Sequence, residues 1–525
     1  MNRPTLEQIS SWAKRRGFVY PSSEIYGGMA NTYDFGPHGT QLKENLRQLW
    51  WKRFIVDRDD IYGIDASVLL NPKVWEASGH TESFADVMVE DKVSHKRYRY
   101  DHLLEEKLEA LNPGTRNKVQ VLFFDKLGMV LVKKGNEISV TSKSPKTEEE
   151  LKQDPDWSGR WDSFDFLDRS KVDGLTPEEM SKVEEAYIEI TKRKFLSPDG
   201  NELTAPKRFN QLFQTEVGII SGEKNKTYLR GEIAQGLFLN FKNILDSMHP
   251  RLPFGIGQAG KAFRNEITMG KFTYRTLEFD LMEFEYFFDH ENQKWEELYQ
   301  SWKKEMDDFA AEIGLNKDHL RWRPHEDFER SHYSTRTEDL EYEFPWGFKE
   351  MWGLAYRTDF DLKNHEKHSG KELRYVYPDG KKVLPHVIEP TFGLSRLMTV
   401  LFFDAYTEET LENGKTRTVF KINPKLAPVK AAVFPLQKDD NLRELAKGIY
   451  TDLKDRFAME FDDTGNIGKM YRRQDEIGTP FCITVDYDSV EDKKVTVRER
   501  DSMKQERVAI TDLAKIIKGK IDGKD

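Results

Sequence analysis

The chain has 525 residues, 33% of them charged and 12% aromatic, with a net charge of −10. That length calls for two or three domains, and that mix excludes a disordered chain. No apolar run reaches membrane-spanning length, Met1 to Arg16 lacks the apolar stretch of a signal peptide, and the single Cys482 excludes an intrachain disulfide. A cytoplasmic setting is the expectation. The acidic balance means that a nucleic-acid partner would need a local basic patch.

Thr5 to Arg16 reads as a short helix, followed by a turn-rich stretch with Gly27-Gly28 and Gly36-Pro37-His38-Gly39. Leu42, Leu46, Leu49, Trp50 and Phe54 recur at helical spacing over Gln41 to Asp57. The charged, uneven segment from about 86 to 203 reads as an insertion, with an exposed polar loop at Lys143 to Asp156. Strand-like runs follow at Ala262 to Arg264 and Leu281 to Phe288, then a helix over Glu291 to Ile313. His386 to Phe403 passes from a strand through Gly393 into a helix. Past Pro424 and Pro428, alternating strand and helix patterns suggest a compact α/β domain.

Glycine-rich phosphate loops are absent, so an ATP user built this way must hold phosphates with arginines. Arg264 and Glu266 alternate at a strand end and can point into one cleft, with Arg275 and Glu278-Phe279 close behind. The plain alternative is a surface hairpin with cross-strand ion pairs. Val387 to Arg396 forms a second cluster, whose plain alternative is an ordinary strand-to-helix turn. Leu229 to Gly236 forms a third, or merely a solvated turn.

Together these residues resemble the homodimeric glycyl-tRNA synthetases, over nearly the whole chain. Ser22 to Gly28 is similar to the family's opening, Asn71 to His80 to the end of class II motif 1, Phe263 to Thr268 to motif 2, and Val387 to Arg396 to motif 3. Ile467 to Pro480 and Arg498 to Met503 resemble its anticodon-binding domain. The resemblance implies an α+β chain. A catalytic domain over 1–425 would carry a six- to seven-stranded antiparallel sheet flanked by helices, and an α/β anticodon-binding domain would occupy 426–525. It implies ATP, Mg²⁺ through unassigned ligands, glycine and glycine tRNA as partners, and a homodimer through Gln41 to Pro72. The adjacent Trp50, Trp51 and Phe54 offer more aromatic surface there than one buried stripe needs.

By the same resemblance, Arg264 would bridge the α-phosphate and the glycine carboxylate, with Arg275 in support. Phe279 would stack on adenine, and Arg396 would cover its other face and meet the γ-phosphate. Asn265, Glu266, Tyr274, Thr276, Leu277, Glu278, Glu350, Met351, Gly393, Leu394 and Ser395 would complete the nucleotide site. Glu232, Glu283 and Glu389 would hold the ammonium, among Asp280, Leu281, Met282, Pro390, Thr391 and Phe392, and Arg99 would close over the substrate.

Several positions depart from the family. Gly231 and Ile233 stand where many relatives have Pro and Thr, Leu281 where they have Gln, and Ser395 where bacterial relatives have Asp. Asp91, Ser94 and Ser197 to Gly200 stand where some relatives carry zinc-binding cysteines, so no structural zinc is expected. Related non-catalytic folds, such as the accessory subunit of mitochondrial DNA polymerase, should lose the motif arginines or the carboxylates. This chain keeps both. The tract Lys469 to Glu476, with Arg498, Arg500 and Arg507, is the expected reader of the anticodon.

Overall fold

Helix α1 (Leu6–Arg15) starts at a capping box formed by Thr5 and Gln8, and it buries Ile9, Trp12 and Ala13. Helix α2 (Pro37–Trp51) has proline in its first turn, where no intrahelical N–H is needed. Its last turn widens, with Asp57 N–H donating to the Lys52 carbonyl. Trp50 and Phe54 are fully buried in the main core against Phe284 and Phe392. Trp51 packs over Gly63, where a Cβ would stand 2.5 Å from its ring. The aromatic surplus is therefore absorbed within one chain and gives no argument for a dimer.

The computed structural model describes residues 3–99 and 196–523, except 84, 205–206, 219–224, 267–270, 326–333 and 413. It also describes Leu103 and strand segments at 130–134, 137–141 and 165–166. Lys143 to Asp156, Ile267, Thr268 and the side chain of Arg99 lie outside the described residues.

The chain is α+β. A seven-stranded sheet is built from β1 (Ile61–Gly63), β2 (Phe254–Phe263), β3 (Glu278–Phe288), β4 (Leu320–Pro324), β5 (Arg336–Phe344), β6 (Gly347–Thr358) and β7 (His386–Gly393). Its order is β4-β5-β6-β7-β3-β2-β1, antiparallel except where β1 joins β2. Side chains alternate across it. Met282, Phe284 and Tyr286 of β3 and Ile388 and Phe392 of β7 meet the core under α2, α3 (Trp295–Glu312) and α5 (Leu394–Ala405). On the opposite face, Phe254, Ile256, Phe287 and Val387 pack with Leu237, Phe238 and Leu362, the last from α4 (Phe360–Ser369). That face also carries Glu283 and Glu285 of β3 and Glu389 of β7.

Within 86–203, strand Ala85–Glu90 pairs with Arg97–Arg99 and with Lys207–Asn210. Two tight turns meet at buried Asp91, which accepts the N–H groups of Val93 and Ser94, Ser197 Oγ at 2.5 Å and the Asn201 amide at 3.1 Å. Burial pushes this carboxyl up, but the four donors outweigh it and hold it well below the usual carboxylate range. A carboxylate network thus joins the two turns.

Beyond Pro424, strands β8 (Ala431–Pro435), β9 (Met459–Phe461), β10 (Phe481–Val485), β11 (Lys494–Glu499) and β12 (Gln505–Ala509) form a five-stranded mixed sheet in the order β9-β8-β10-β11-β12. Helices α6 (Asp440–Lys454), α7 (Ile467–Ile477) and α8 (Leu513–Asp522) flank it, and it has its own core around Val433, Ile449, Ile483 and Val497.

Candidate active site

The β2–β3 hairpin ends in a fork. Arg264 N–H donates to the Leu277 carbonyl at 2.9 Å, and Arg264 Nε donates to the Gly231 carbonyl at 2.9 Å. These bonds set the guanidinium 5.4 Å from the centroid of Phe279. Arg275 Nε lies 3.7 Å from Glu266. Across the cleft, Arg396 in the first turn of α5 pairs with Glu350 at 2.5 Å and lies over Tyr274 at 5.2 Å. The Tyr274 hydroxyl donates to the Glu350 carbonyl, and burial pushes this phenol up to about 12. Burial pushes Glu350 up as well, but Arg396, Arg264 and His325 outweigh it and hold the carboxylate below its usual range. The end of this cleft therefore presents three guanidinium groups and two ring faces, a setting for an anionic group on a flat base.

Its floor is acidic. Glu283 and Thr391 face each other across β3 and β7, with Thr391 Oγ1 donating to Glu283 at 3.0 Å. Arg357 donates to Glu389 at 2.9 Å and grips Asp361 with Nε and Nη2 at 2.8 and 2.9 Å. Glu232 takes Gln235 Nε2 at 2.9 Å and meets His80 Nε2 at 3.2 Å. Burial pushes Glu232 up, but His80, Arg357 and Gln235 together hold it well below the usual range. Burial, then the neighbouring carboxylates, push Glu283 well up. The turn carrying Glu232 is buried, not solvated, because Arg230 anchors it through the Lys261 and Ala66 carbonyls at 2.6 and 2.7 Å.

The cleft gathers Glu232, Arg264, Glu266, Tyr274, Arg275, Thr276, Phe279, Asp280, Leu281, Glu283, Glu350, Met351, Glu389, Thr391, Gly393, Ser395 and Arg396. Met282, Pro390 and Phe392 do not line it, and Met282 and Phe392 point into the core as strand alternation requires. Leu394 is likewise a core residue. Leu277 holds the fork through its main chain, and Asn265 N–H donates to the Gln211 carbonyl. Glu278 pairs with Lys261 at 2.7 Å and lines a neighbouring cavity with Lys43 and Asp34. Sequence reasoning missed His80, Arg357, Asp361, His325 and Asp339. Of these, His325 and Asp339 line the cleft and bond to each other at 2.8 Å. His80 carried a signal, as it ends the recognised Asn71 to His80 tract.

Lys469 to Glu476, the expected anticodon reader, lies inside helix α7. Its groups are bonded within the chain: Arg473 to Asp462, Gln474 to Glu460, Asp475 to Arg417 and Arg498, and Glu476 to Arg16. Arg498 and Arg500 are buried, and Arg507 pairs with Asp486 and Asp492. Of these, Asp475–Arg417 and Glu476–Arg16 tie the C-terminal unit to the rest of the chain, and Lys469 and Arg472 remain exposed.

Residues 430–520 match the family model of the anticodon binding domain. The chain is 41% identical to the glycine–tRNA ligase of Caldanaerobacter subterraneus subsp. tengcongensis, over 98% of both chains. It is 42% identical to those of Geobacillus thermodenitrificans, over 98% of both chains, and of a Bacillus cereus strain, over 98% of this chain and 99% of the relative. Likeness of this degree over almost the full length means that the chain belongs to the glycine–tRNA ligase family, the ATP-dependent class II synthetases that charge glycine tRNA.

Proposed function

We propose that the cleft joins glycine to ATP with release of pyrophosphate, and that the glycyl group then passes to the 3′ end of glycine tRNA. The observation that carries this reading is the division of one cleft into a cationic, aromatic end and an acidic floor. Adenine lies between Phe279 and Arg396, and Arg264 reaches both the α-phosphate and the glycine carboxylate. Little proton transfer is needed, because that carboxylate is already anionic at pH 7. It attacks the α-phosphorus, and Arg264 and Arg275 offset the charge that develops there. Asp339 and Glu350 are the carboxylates beside the phosphate end that could hold Mg²⁺, which when bound supplies further charge neutralisation.

Glycine offers no side chain to grip. Glu232, Glu283 and Glu389 would take its ammonium, and Thr391 would help to wall off the space a methyl group needs. A rigid, filled pocket rejects alanine more strongly than the removal of a methylene is usually discriminated. Arg99 would close the site. The unit at 426–525 would read the anticodon, in a cytoplasmic homodimer. Glycine-dependent ATP–pyrophosphate exchange tests the reading: exchange should require glycine, and equal exchange with alanine or none at all would overturn it.

A further inference from the structure

Beneath the acidic floor, carboxyl groups outnumber the cations that touch them. Oxygens of Glu283, Glu285 and Glu389 lie within 4.8 Å of one another, and all three side chains are buried. Arg357 bonds Glu389 but also holds Asp361. Glu232 faces His80 and Gln235. Arg230 stands near Glu283 and Asp65, with its guanidinium bonded to main-chain carbonyls. His365 bonds Gln235, and burial holds its imidazole below the ordinary range.

Both oxygens of Glu285 and Oε1 of Glu283 are buried with no hydrogen-bond donor among the described residues. So is Oε1 of Gln258, which pairs with Glu283 across β2 and β3. The Gln258 nitrogen is fixed by Asp65 Oδ1 at 3.1 Å and the Ala66 carbonyl at 3.2 Å, so the amide cannot be turned round to supply the missing donor. An ionised carboxylate only accepts hydrogen bonds, whereas a protonated one also donates. Neighbouring carboxyl groups at this spacing resist ionising together. Burial, and then the neighbouring Glu389, push Glu285 well above the usual range.

We propose that the Glu283–Glu285–Glu389 triad holds a proton in the empty enzyme at neutral pH and releases it when the ammonium of glycine enters. The inference rests on the reading of this pocket as the ammonium site. Glycine arrives as a zwitterion with its N–H bonds intact and donates them to carboxylate oxygens. One carboxyl O–H bond breaks, and its proton passes to the buffer. Nothing is oxidised or reduced. Glu285 does not line the cleft. It is a positioning residue that sets how many negative charges the triad can carry.

The test titrates the full-length protein with glycine at pH 7.0 in phosphate and in Tris, whose ionisation heats differ. A release approaching one proton per glycine is expected from the difference in heats. Release also makes glycine bind more tightly as pH rises, by up to about tenfold per pH unit. The glycine KM in pyrophosphate exchange should therefore fall at least about threefold from pH 6.5 to 7.5, with the ATP KM changing less than about twofold. Glu285→Gln should reduce both the proton release and this slope. Equal heats per glycine after correction for the buffers, with a flat glycine KM, would overturn the proposal. So would a proton release and slope unchanged in Glu285→Gln. If that variant does not fold, the wild-type heats and slope decide alone. Glu283→Ala separates the two layers. A glycine KM that this variant leaves unchanged would remove the ammonium site itself, whereas a raised KM with no pH dependence in the wild type would remove the proton linkage alone.

Discussion

His80 Nε2 lies 3.2 Å from a carboxylate oxygen of Glu232, with both side chains buried. Ser78 Oγ holds the other ring nitrogen of His80 at 2.8 Å, and Trp75 meets the ring edge-on. His80 thus orients a carboxylate proposed to grip glycine without lining the cleft itself. Removing one partner of a buried, charge-assisted bond costs about 1.5–3 kcal/mol. His80→Ala should therefore raise the glycine KM by about one to two decades while leaving the ATP KM near its original value. Equal rises in both would mean that the variant perturbs the whole cleft.

Arg264 is held at the fork by two main-chain bonds. Arg264→Ala should leave the fold intact, because the main-chain bond from Arg264 N–H to the Leu277 carbonyl survives the truncation. Loss of one transition-state donor typically costs about 3–4 kcal/mol, or two to three decades in rate. Pyrophosphate exchange at saturating ATP that stays within about tenfold of wild type would reject the role of Arg264.

Most of the cleft's two ends was legible because strand alternation and strand-to-helix junctions are local. Alternation suggested a shared cleft for Arg264 and Glu266, whereas Phe279, Glu283, Glu389 and Arg396 came from the family resemblance; parity gives Phe279, Glu283 and Glu389 one sheet face, and Arg396 reaches it from the first turn of α5. The same rule, applied strictly, would have sent Met282 and Phe392 to the core. His80, Arg357 and Asp361 were not legible as a set. They come from separate elements: Arg357 of β6 ties Asp361 of α4 to Glu389 of β7, the helix Pro72–Ala77 packs on α4, and His80 just beyond it meets Glu232. The charges of α7 were misread for a similar reason. Their partners, Arg16, Arg417 and Asp462, lie far off in sequence or beyond a turn, and no local pattern announces that a cation is already satisfied.

The acidic triad also has a signature in stability. Burial and neighbouring carboxylates push Glu285 above the usual range, so between its unfolded and folded pKa values the native state binds more protons than the unfolded one. Its contribution is fully present below the unfolded value and is lost as pH rises toward the folded one. Each pH unit across that window lowers stability by at most about 1.4 kcal/mol. Glu285→Gln cannot ionise. Its melting temperature should therefore gain on that of the wild type as pH is raised from about 5 to 8. A difference between the two proteins that stays constant over this range would contradict the raised carboxyl.

Asp91 joins the two turns through four hydrogen bonds to one carboxylate. A hard carboxylate surrounded by amide and hydroxyl donors offers zinc no thiolate, and the imidazole of His95 in the first turn faces Glu90 at 3.2 Å. Purified protein should contain well below one zinc per chain by elemental analysis, and chelators should leave its melting temperature unchanged. Asp91→Ala should expose both turns to proteolysis, since their N–H donors lose a common acceptor. One dialysis-resistant zinc per chain would refute this account.

The C-terminal unit is tied to the rest of the chain through α7, so its role toward tRNA is separable from folding only by point variants. Removing residues 427–525 would take Asp475 from buried Arg417 and uncover Trp12, Phe420 and Ile422. A truncated enzyme could then fail by unfolding. Point variants on the exposed side of α7 avoid this. Lys469 and Arg472 are exposed there, while Arg473 to Glu476 are committed to internal bonds. Exposed cations are the groups left to meet a phosphate backbone and unpaired bases. Reversing both, Lys469→Glu with Arg472→Glu, should raise the tRNA KM by at least about tenfold and weaken its dependence on anticodon changes, while glycine-dependent pyrophosphate exchange keeps its rate. Replacing both cytosines that glycine anticodons share should impair charging by the wild type through the same surface. If the double reversal left charging untouched while the anticodon changes still impaired it, another face of the C-terminal sheet would carry the contact. If neither mattered, the unit would not read the anticodon in this chain.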